Sequence, residues 1–211
     1  MALRSVETRD DGFKLAVWEI TETEEELRFL CTTSDIEREE LSRIRSAKRR
    51  KERLAVGALL CEMFGEYTRV EHDDKGCPFF SNRTEKLSIA HTQRFAVVCI
   101  HPQKRVGVDI ESLERDFSAV ESRAISNLEK TSLCHQKRSL HLAIIWSAKE
   151  ALYKCVSQED VDFAQQIEIE PFVPQESGTL SARFYSKSKS SIHFFLEYKI
   201  IDNHILVYMC T

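Results

Sequence analysis

Along the chain the spacing of apolar positions changes several times, and each change marks an element. FKLAVWEI (13–20) alternates apolar and polar residues as a half-buried strand does. In SDIEREELSRIRSAKRRKERLAVGALLCEMFG (34–65) the period is helical, with Leu54, Ala58, Leu59 and Cys61 on one stripe. The spacing predicts one helical segment whose second half packs and whose first half is wet. Ser34, with Glu37 three residues on, has the form of a capping box, and Gly65 is the expected stop. DDKGCPFF (73–80) reads as a turn from its Gly and Pro. KLSIAHTQRFAVVCI (86–100) reads as two strands about a tight turn near Thr92–Gln93, the second of them buried.

The same order then recurs. RVGVDIE (105–111) reads as a strand and LHLAIIWSAKEALYKCV (140–156) as a long helix. IHFFLEYKIIDNHILVYMC (192–210) reads as two strands around Asp202–Asn203, a hairpin signal. Both helical segments carry a Ser-Ala-Lys tripeptide, at Ser46 and at Ser147. Strand, helix and hairpin twice over predict an α+β chain of two similar halves, 1–102 and 103–211. The halves are expected to be related by a pseudo-twofold, with a ligand cleft between them.

Composition narrows the function classes. A chain with 42% hydrophobic and 30% charged residues is of ordinary globular make-up. The net charge of −4 argues against nucleic acid as the main partner. No apolar run approaches the ~20 residues that cross a bilayer, so no membrane partner is expected. The N-terminus lacks the apolar core of a signal peptide. The seven cysteines are odd in number and form no C-x-x-C pair. Together these predict a cytoplasmic protein with reduced thiols. The basic run RIRSAKRRKER (43–53) is a solvated helix face or a site for a small anion.

Two stretches carry candidate chemistry. On the strand VGVDIES, Asp109 and Glu111 share a face, with α-carbons roughly 7 Å apart. Neighbouring carboxylates repel unless a cation lies between them, and hard oxygen donors suit Mg²⁺. An ordinary polar strand face is the plainer reading. In IIWSAKEALYKCV (144–156), Glu150 and Lys154 stand one helical turn apart. They are either a solvated ion pair or part of a ligand shell. Lys149 points about 100° away from Glu150, toward a cofactor or a structural carboxylate, while Trp146 and Tyr153 read as core.

Taken together the two stretches resemble the signature of the 4′-phosphopantetheinyl transferase superfamily. That signature is a G-[VI]-D segment, a gap of about forty residues, and [FW]-[SCT]-x-K-E-[SA]-x-x-K. Gly107-Val108-Asp109 and Trp146 to Lys154 fill every fixed position, with 36 residues between Asp109 and Trp146. KGCPFF…KLSIAHTQRFAVV (75–98) is similar to the family's G-K-P segment and its SHS turn, and ESRAISNLE (121–129) to its Arg-to-Glu helix. With two halves in one chain, the protein resembles the pseudo-dimeric Sfp-type branch. It departs from the pattern at Cys77, where the family has Lys, and at Ala90, where it has Ser.

The resemblance implies transfer of 4′-phosphopantetheine from coenzyme A to a serine of an acyl or peptidyl carrier protein. The other product would be adenosine 3′,5′-bisphosphate, and the setting fatty acid, polyketide or nonribosomal peptide synthesis. It places Mg²⁺, with Mn²⁺ as a substitute, on Asp109, Glu111 and Glu150. Lys154 falls on the lysine at the coenzyme A pyrophosphate, and His91 on a phosphate-contacting histidine. Arg49, Arg53 and Lys75 fall in the region that holds the 3′-phosphate. Glu129 and Glu150 are the candidates to activate the carrier hydroxyl, with Arg115 and Arg123 in 112–138 as a dock for an acidic carrier. A monomer is expected. The competing readings are a Mg²⁺-dependent hydrolase of a nucleotide pyrophosphate and a non-catalytic coenzyme A-binding relative.

Overall fold

A computed structural model describes residues 2–30, 35–187 and 190–211, with backbone alone at 35–37. The chain divides into two compact units, Met1–Gln103 and Lys104–Thr211.

The first unit runs β1 (Leu3–Thr8), β2 (Lys14–Glu19), α1 (Glu24–Leu30), α2 (Asp35–Arg43), α3 (Ala47–Phe64), β3 (Val70–His72), β4 (Pro78–Phe80), β5 (Lys86–His91) and β6 (Phe95–His101). Its main sheet has the order β1-β2-β6-β5, antiparallel throughout. Leu54, Ala58 and Leu59 of α3 are buried in one cluster with Trp18 and Val98. The helical segment expected over 34–65 is two helices, not one. Ser46 interrupts it: its backbone is extended, and its hydroxyl accepts from the Arg49 N–H, giving the second helix its own N-cap. The stop falls at Gly65, whose φ of 71° is left-handed and whose N–H returns to the Cys61 carbonyl. The cap expected at Ser34 lies outside the described residues. In the stretch read as a turn, Asp73 Oδ1 accepts from the N–H groups of Lys75 and Cys77 and Gly76 takes a φ of 78°. Pro78 already belongs to β4, at its first position, where a missing N–H is tolerated.

The second unit runs β7 (Val106–Ser112), α4 (Ser118–Ala124), α5 (Asn127–Thr131), a 3-10 turn (His135–Lys137), α6 (Arg138–Val156), α7 (Phe163–Gln166), β8 (Ile167–Ile169), β9 (Ser177–Tyr185), β10 (Ser191–Ile201) and β11 (His204–Cys210). The sheet order is β7-β11-β10-β9-β8, again antiparallel. Asp202 and Asn203 both have positive φ, as a two-residue hairpin loop requires. In each unit taken alone, the last strand pairs with the strand that precedes the long helix. The shared tripeptide does not mark equivalent places, because Ser46 caps α3 while Ser147 lies buried inside α6.

Gly107 sets the distance between β7 and α6. A Cβ there would lie 2.0 Å from the Ala151 carbonyl oxygen, a backbone atom in mid-helix that cannot swing aside. Gly107→Ala is therefore expected to lower unfolding stability by about 3 kcal/mol, the upper range for forced overpacking. A denaturant midpoint within error of the parent would refute this close approach.

Candidate functional site

Alternation along β7 puts Gly107, Asp109 and Glu111 on one face, and that face is the one α6 covers. Val108 and Ile110 are buried as well, so the strand has no wet side at Asp109. On α6 a step of four residues aligns Trp146, Glu150 and Lys154. These two rows meet. Lys154 Nζ donates to Asp109 Oδ1 at 2.9 Å and to the Val108 carbonyl at 3.0 Å. Trp146 Nε1 donates to Glu111 Oε1 at 2.9 Å, and Arg115 forms an ion pair with the same oxygen. The Arg115 guanidinium in turn lies over the rings of Trp146 and Phe117.

Two carboxylate groups are left wanting. Asp109 Oδ2 is buried with no hydrogen-bond partner. Glu150, half-buried, makes no hydrogen bond or ion pair among the described residues. Burial, followed by the negative charge of Asp109, pushes the Glu150 carboxyl up to about 7, against the pull of Lys154. Glu111 is raised for the same two reasons, burial first, with the Trp146 hydrogen bond opposing. The three carboxyls thus share one electrostatic field. They are not drawn to a point: among the described residues, no set of oxygens with one from each lies mutually within 4.8 Å. Hard oxygen donors, an orphaned Oδ2 and an unpaired half-buried carboxylate are a donor set that suits a divalent cation of the Mg²⁺ type. In their present arrangement the Lys154 ammonium supplies the countercharge to Asp109.

Residues 105–208, nearly all of the second unit, match the 4′-phosphopantetheinyl transferase superfamily. The second unit is a domain of that superfamily. No curated protein matches the chain in sequence.

Within the superfamily domain Lys149 and Glu129 do other work. Lys149 Nζ is fully buried and lies 2.7–2.8 Å from Glu129 Oε2 and the carbonyls of Ala124, Phe163 and Ile167. Glu129 Oε2 also accepts from the Ser126 N–H, closing a capping box on α5, and Oε1 accepts from the Ile169 N–H. With its side chain 1% exposed and both oxygens taken, Glu129 is a structural partner of Lys149 and not a free base. Of the two base candidates, only Glu150 is left. Trp146, expected as core, belongs to the site through its N–H; its place four residues before Glu150 was the available signal. Tyr153 packs on Phe163. Arg123 lines an open pocket of about 500 Å³ with Trp146, Phe163 and Asp162, and forms no ion pair among the described residues.

The anion-binding candidates of the first unit converge in part. Arg49, Arg53 and His91 line a pocket of about 240 Å³, together with Glu52, Thr68 and His72. The Thr68 hydroxyl oxygen is buried and unpartnered. Arg53 is held by an ion pair to Glu40, which also takes Arg69 at 3.0 Å. Lys75 sits on the exposed 73–76 turn and does not line this pocket.

The raised Glu150 carboxyl fixes the sign of a pH effect. Its folded pKa of about 7 exceeds the ordinary 4.5. Its favourable contribution is therefore full below pH 4.5 and lost as pH rises through about 7, by at most about 3 kcal/mol. Without added metal, Glu150→Gln should abolish that loss, so its stability should exceed the parent's increasingly between pH 5 and 8. Parallel stability curves for the two proteins would refute the assignment. Buried His141, whose pKa is lowered by desolvation, acts oppositely below about 6.5 in both proteins and cancels in the comparison.

Proposed function

We propose that the protein transfers the 4′-phosphopantetheinyl group of coenzyme A to a serine of an acyl or peptidyl carrier protein. The observation that carries this reading is the meeting of Asp109, Glu111, Glu150 and Lys154 from β7 and α6 within a domain of this superfamily. Asp109, Glu111 and Glu150 would hold Mg²⁺, which when bound neutralises pyrophosphate oxygens. Lys154 spends two of its three N–H donors on Val108 and Asp109, which leaves one for an oxygen of the pyrophosphate. Glu150, a carboxyl that titrates near neutrality, is suited to receive the proton of the attacking serine. The serine oxygen bonds to the β-phosphorus as the bond to the adenosine 3′,5′-bisphosphate oxygen breaks. Trp146 and Arg115 hold Glu111 in place, so that the acidic set is positioned before the substrate arrives.

Arg49, Arg53 and His91 are our candidates for the coenzyme A phosphates, and Arg123 for an acidic carrier helix. Arg123→Glu is expected to raise the KM for the carrier about tenfold, with coenzyme A KM unchanged. An unaltered carrier KM would remove Arg123 from the dock. The reading as a whole is tested by intact mass of several apo-carriers incubated with the protein, coenzyme A and Mg²⁺. A serine-linked gain of one phosphopantetheinyl group is expected. Breakdown of coenzyme A without any carrier would point instead to a pyrophosphate hydrolase.

A further inference from the structure

Each strand carboxylate of the candidate site has one oxygen tied down and the other left open. Asp109 Oδ1 accepts from Lys154 Nζ at 2.9 Å, while Oδ2 is buried and without a hydrogen-bond partner. Glu111 repeats the division. Its Oε1 takes both the Trp146 Nε1–H, at 2.9 Å, and the ion pair with Arg115, and among the described residues Oε2 takes no hydrogen bond. The groups that hold Oε1 are themselves held. Trp146 packs on Phe163, and the Arg115 guanidinium lies over the rings of Trp146 and of buried Phe117. The Arg115 N–H donates to the Ser112 carbonyl at 3.1 Å. The Leu113 N–H donates to the Asn203 carbonyl at 2.9 Å, which ties the same loop to the hairpin of β10 and β11. Little of this frame can follow the Glu111 carboxylate if it turns.

We propose that Trp146 and Arg115 are positioning residues that confine Glu111 to coordination through one oxygen, which tilts the site toward Mg²⁺ and away from Ca²⁺. Mg²⁺ demands a near-ideal octahedron, and a carboxylate offering both oxygens spans too narrow an angle for it. Ca²⁺ takes about six to eight oxygens in flexible geometry and readily accepts two from one carboxylate. A Glu111 free to turn could offer Oε1 and Oε2 together, and Ca²⁺ is the cation that gains from it. With Oε1 spent on two donors, Ca²⁺ loses a ligand that Mg²⁺ does not use. Lys154 sets the same limit at Asp109. Of the three carboxylates, only Glu150 keeps both oxygens without partners among the described residues. The guanidinium and the ammonium also bring positive charge near the cation. That charge weakens two divalent ions alike, so the ratio of their affinities reports coordination mode and not charge.

This inference rests on the reading of the acidic set as a divalent-cation site, and the experiment separates the two. Mg²⁺ and Ca²⁺ are titrated by calorimetry, in separate runs, into the protein with coenzyme A. The ratio of their dissociation constants is then compared between variants. Arg115→Met removes one hold on Oε1, and Trp146→Phe removes the other while keeping a ring against Phe163. The double variant is expected to shift the ratio about tenfold toward Ca²⁺, the lower range for losing the hydrogen bonds that orient a metal ligand. Arg115→Met alone should shift it about threefold, half of that effect in free energy. The Arg115 side chain is 41% exposed, so this single variant decides the matter if the double variant does not fold. Residues that only support the local fold would weaken both cations in parallel. An unchanged ratio, or a shift toward Mg²⁺, overturns the inference and spares the functional reading. Failure of the parent to bind either cation overturns the reading and this inference with it.

Discussion

Lys149→Met is expected to lower unfolding stability by about 3–5 kcal/mol, the usual cost of stranding one member of a buried ion pair. The substitution keeps the length and the apolar stem of the side chain, so little of the loss comes from packing. What it strands is Glu129, with a side chain 1% exposed and no water to turn to. It also removes a donor shared by the carbonyls of Ala124, Phe163 and Ile167, at the ends of α4, α7 and β8. Adding Glu129→Gln should recover about half of the loss. The amide oxygen can keep one of the two N–H bonds from Ser126 and Ile169, but not both. Urea denaturation of the parent, both single variants and the double variant measures the coupling. A Lys149→Met cost under about 1 kcal/mol would show that the ammonium does not tie these segments together.

Asp109→Asn should separate activity from stability. Asparagine keeps the shape and the oxygen that accepts from Lys154, but it turns the orphaned Oδ2 into an amide nitrogen with no charge. Under the proposed function, carrier modification is expected to slow by about a thousandfold, the upper range for loss of one preorganised electrostatic group. Stability should stay level or rise, because the negative charge that pushes up the Glu111 and Glu150 carboxyls is gone. Glu150 should accordingly titrate lower in this variant. A variant that modifies carriers within tenfold of the parent rate would take Asp109 out of the chemistry.

How much of this was legible in the sequence depended on how local the cause was. The hairpin at Asp202–Asn203 follows from two residues that tolerate positive φ, and the long helix α6 from its period. That β7 and α6 contribute to one site was implied by the resemblance, whereas the close approach at Gly107 and the Lys154–Asp109 pair are tertiary contacts that the spacing did not give. Strands β1 and β9 went unread because they lie where polar residues dominate, and neighbouring strands hold them more than their own pattern does. The break at residues 44–46 was hidden inside a continuous helical period, though Ser46 stood at the right place for a cap. Glu129 is the instructive case, because both of its oxygens are engaged where the resemblance implied a base. Ser126-x-x-Glu129 is a capping-box pattern visible in the chain, and it describes the observed role better than the resemblance did. Its ion pair with Lys149, 20 residues away, is a tertiary contact that spacing alone does not give.

The central claim is that Asp109, Glu111 and Glu150 form one divalent-cation site, and calorimetric titration of Mg²⁺ in the presence of coenzyme A measures it directly. One cation per chain is expected for the parent, with proton release near pH 7 as the Glu150 carboxyl ionises, and no binding for Asp109→Asn. Equal Mg²⁺ binding by the parent and Asp109→Asn, or none by either, would contradict it.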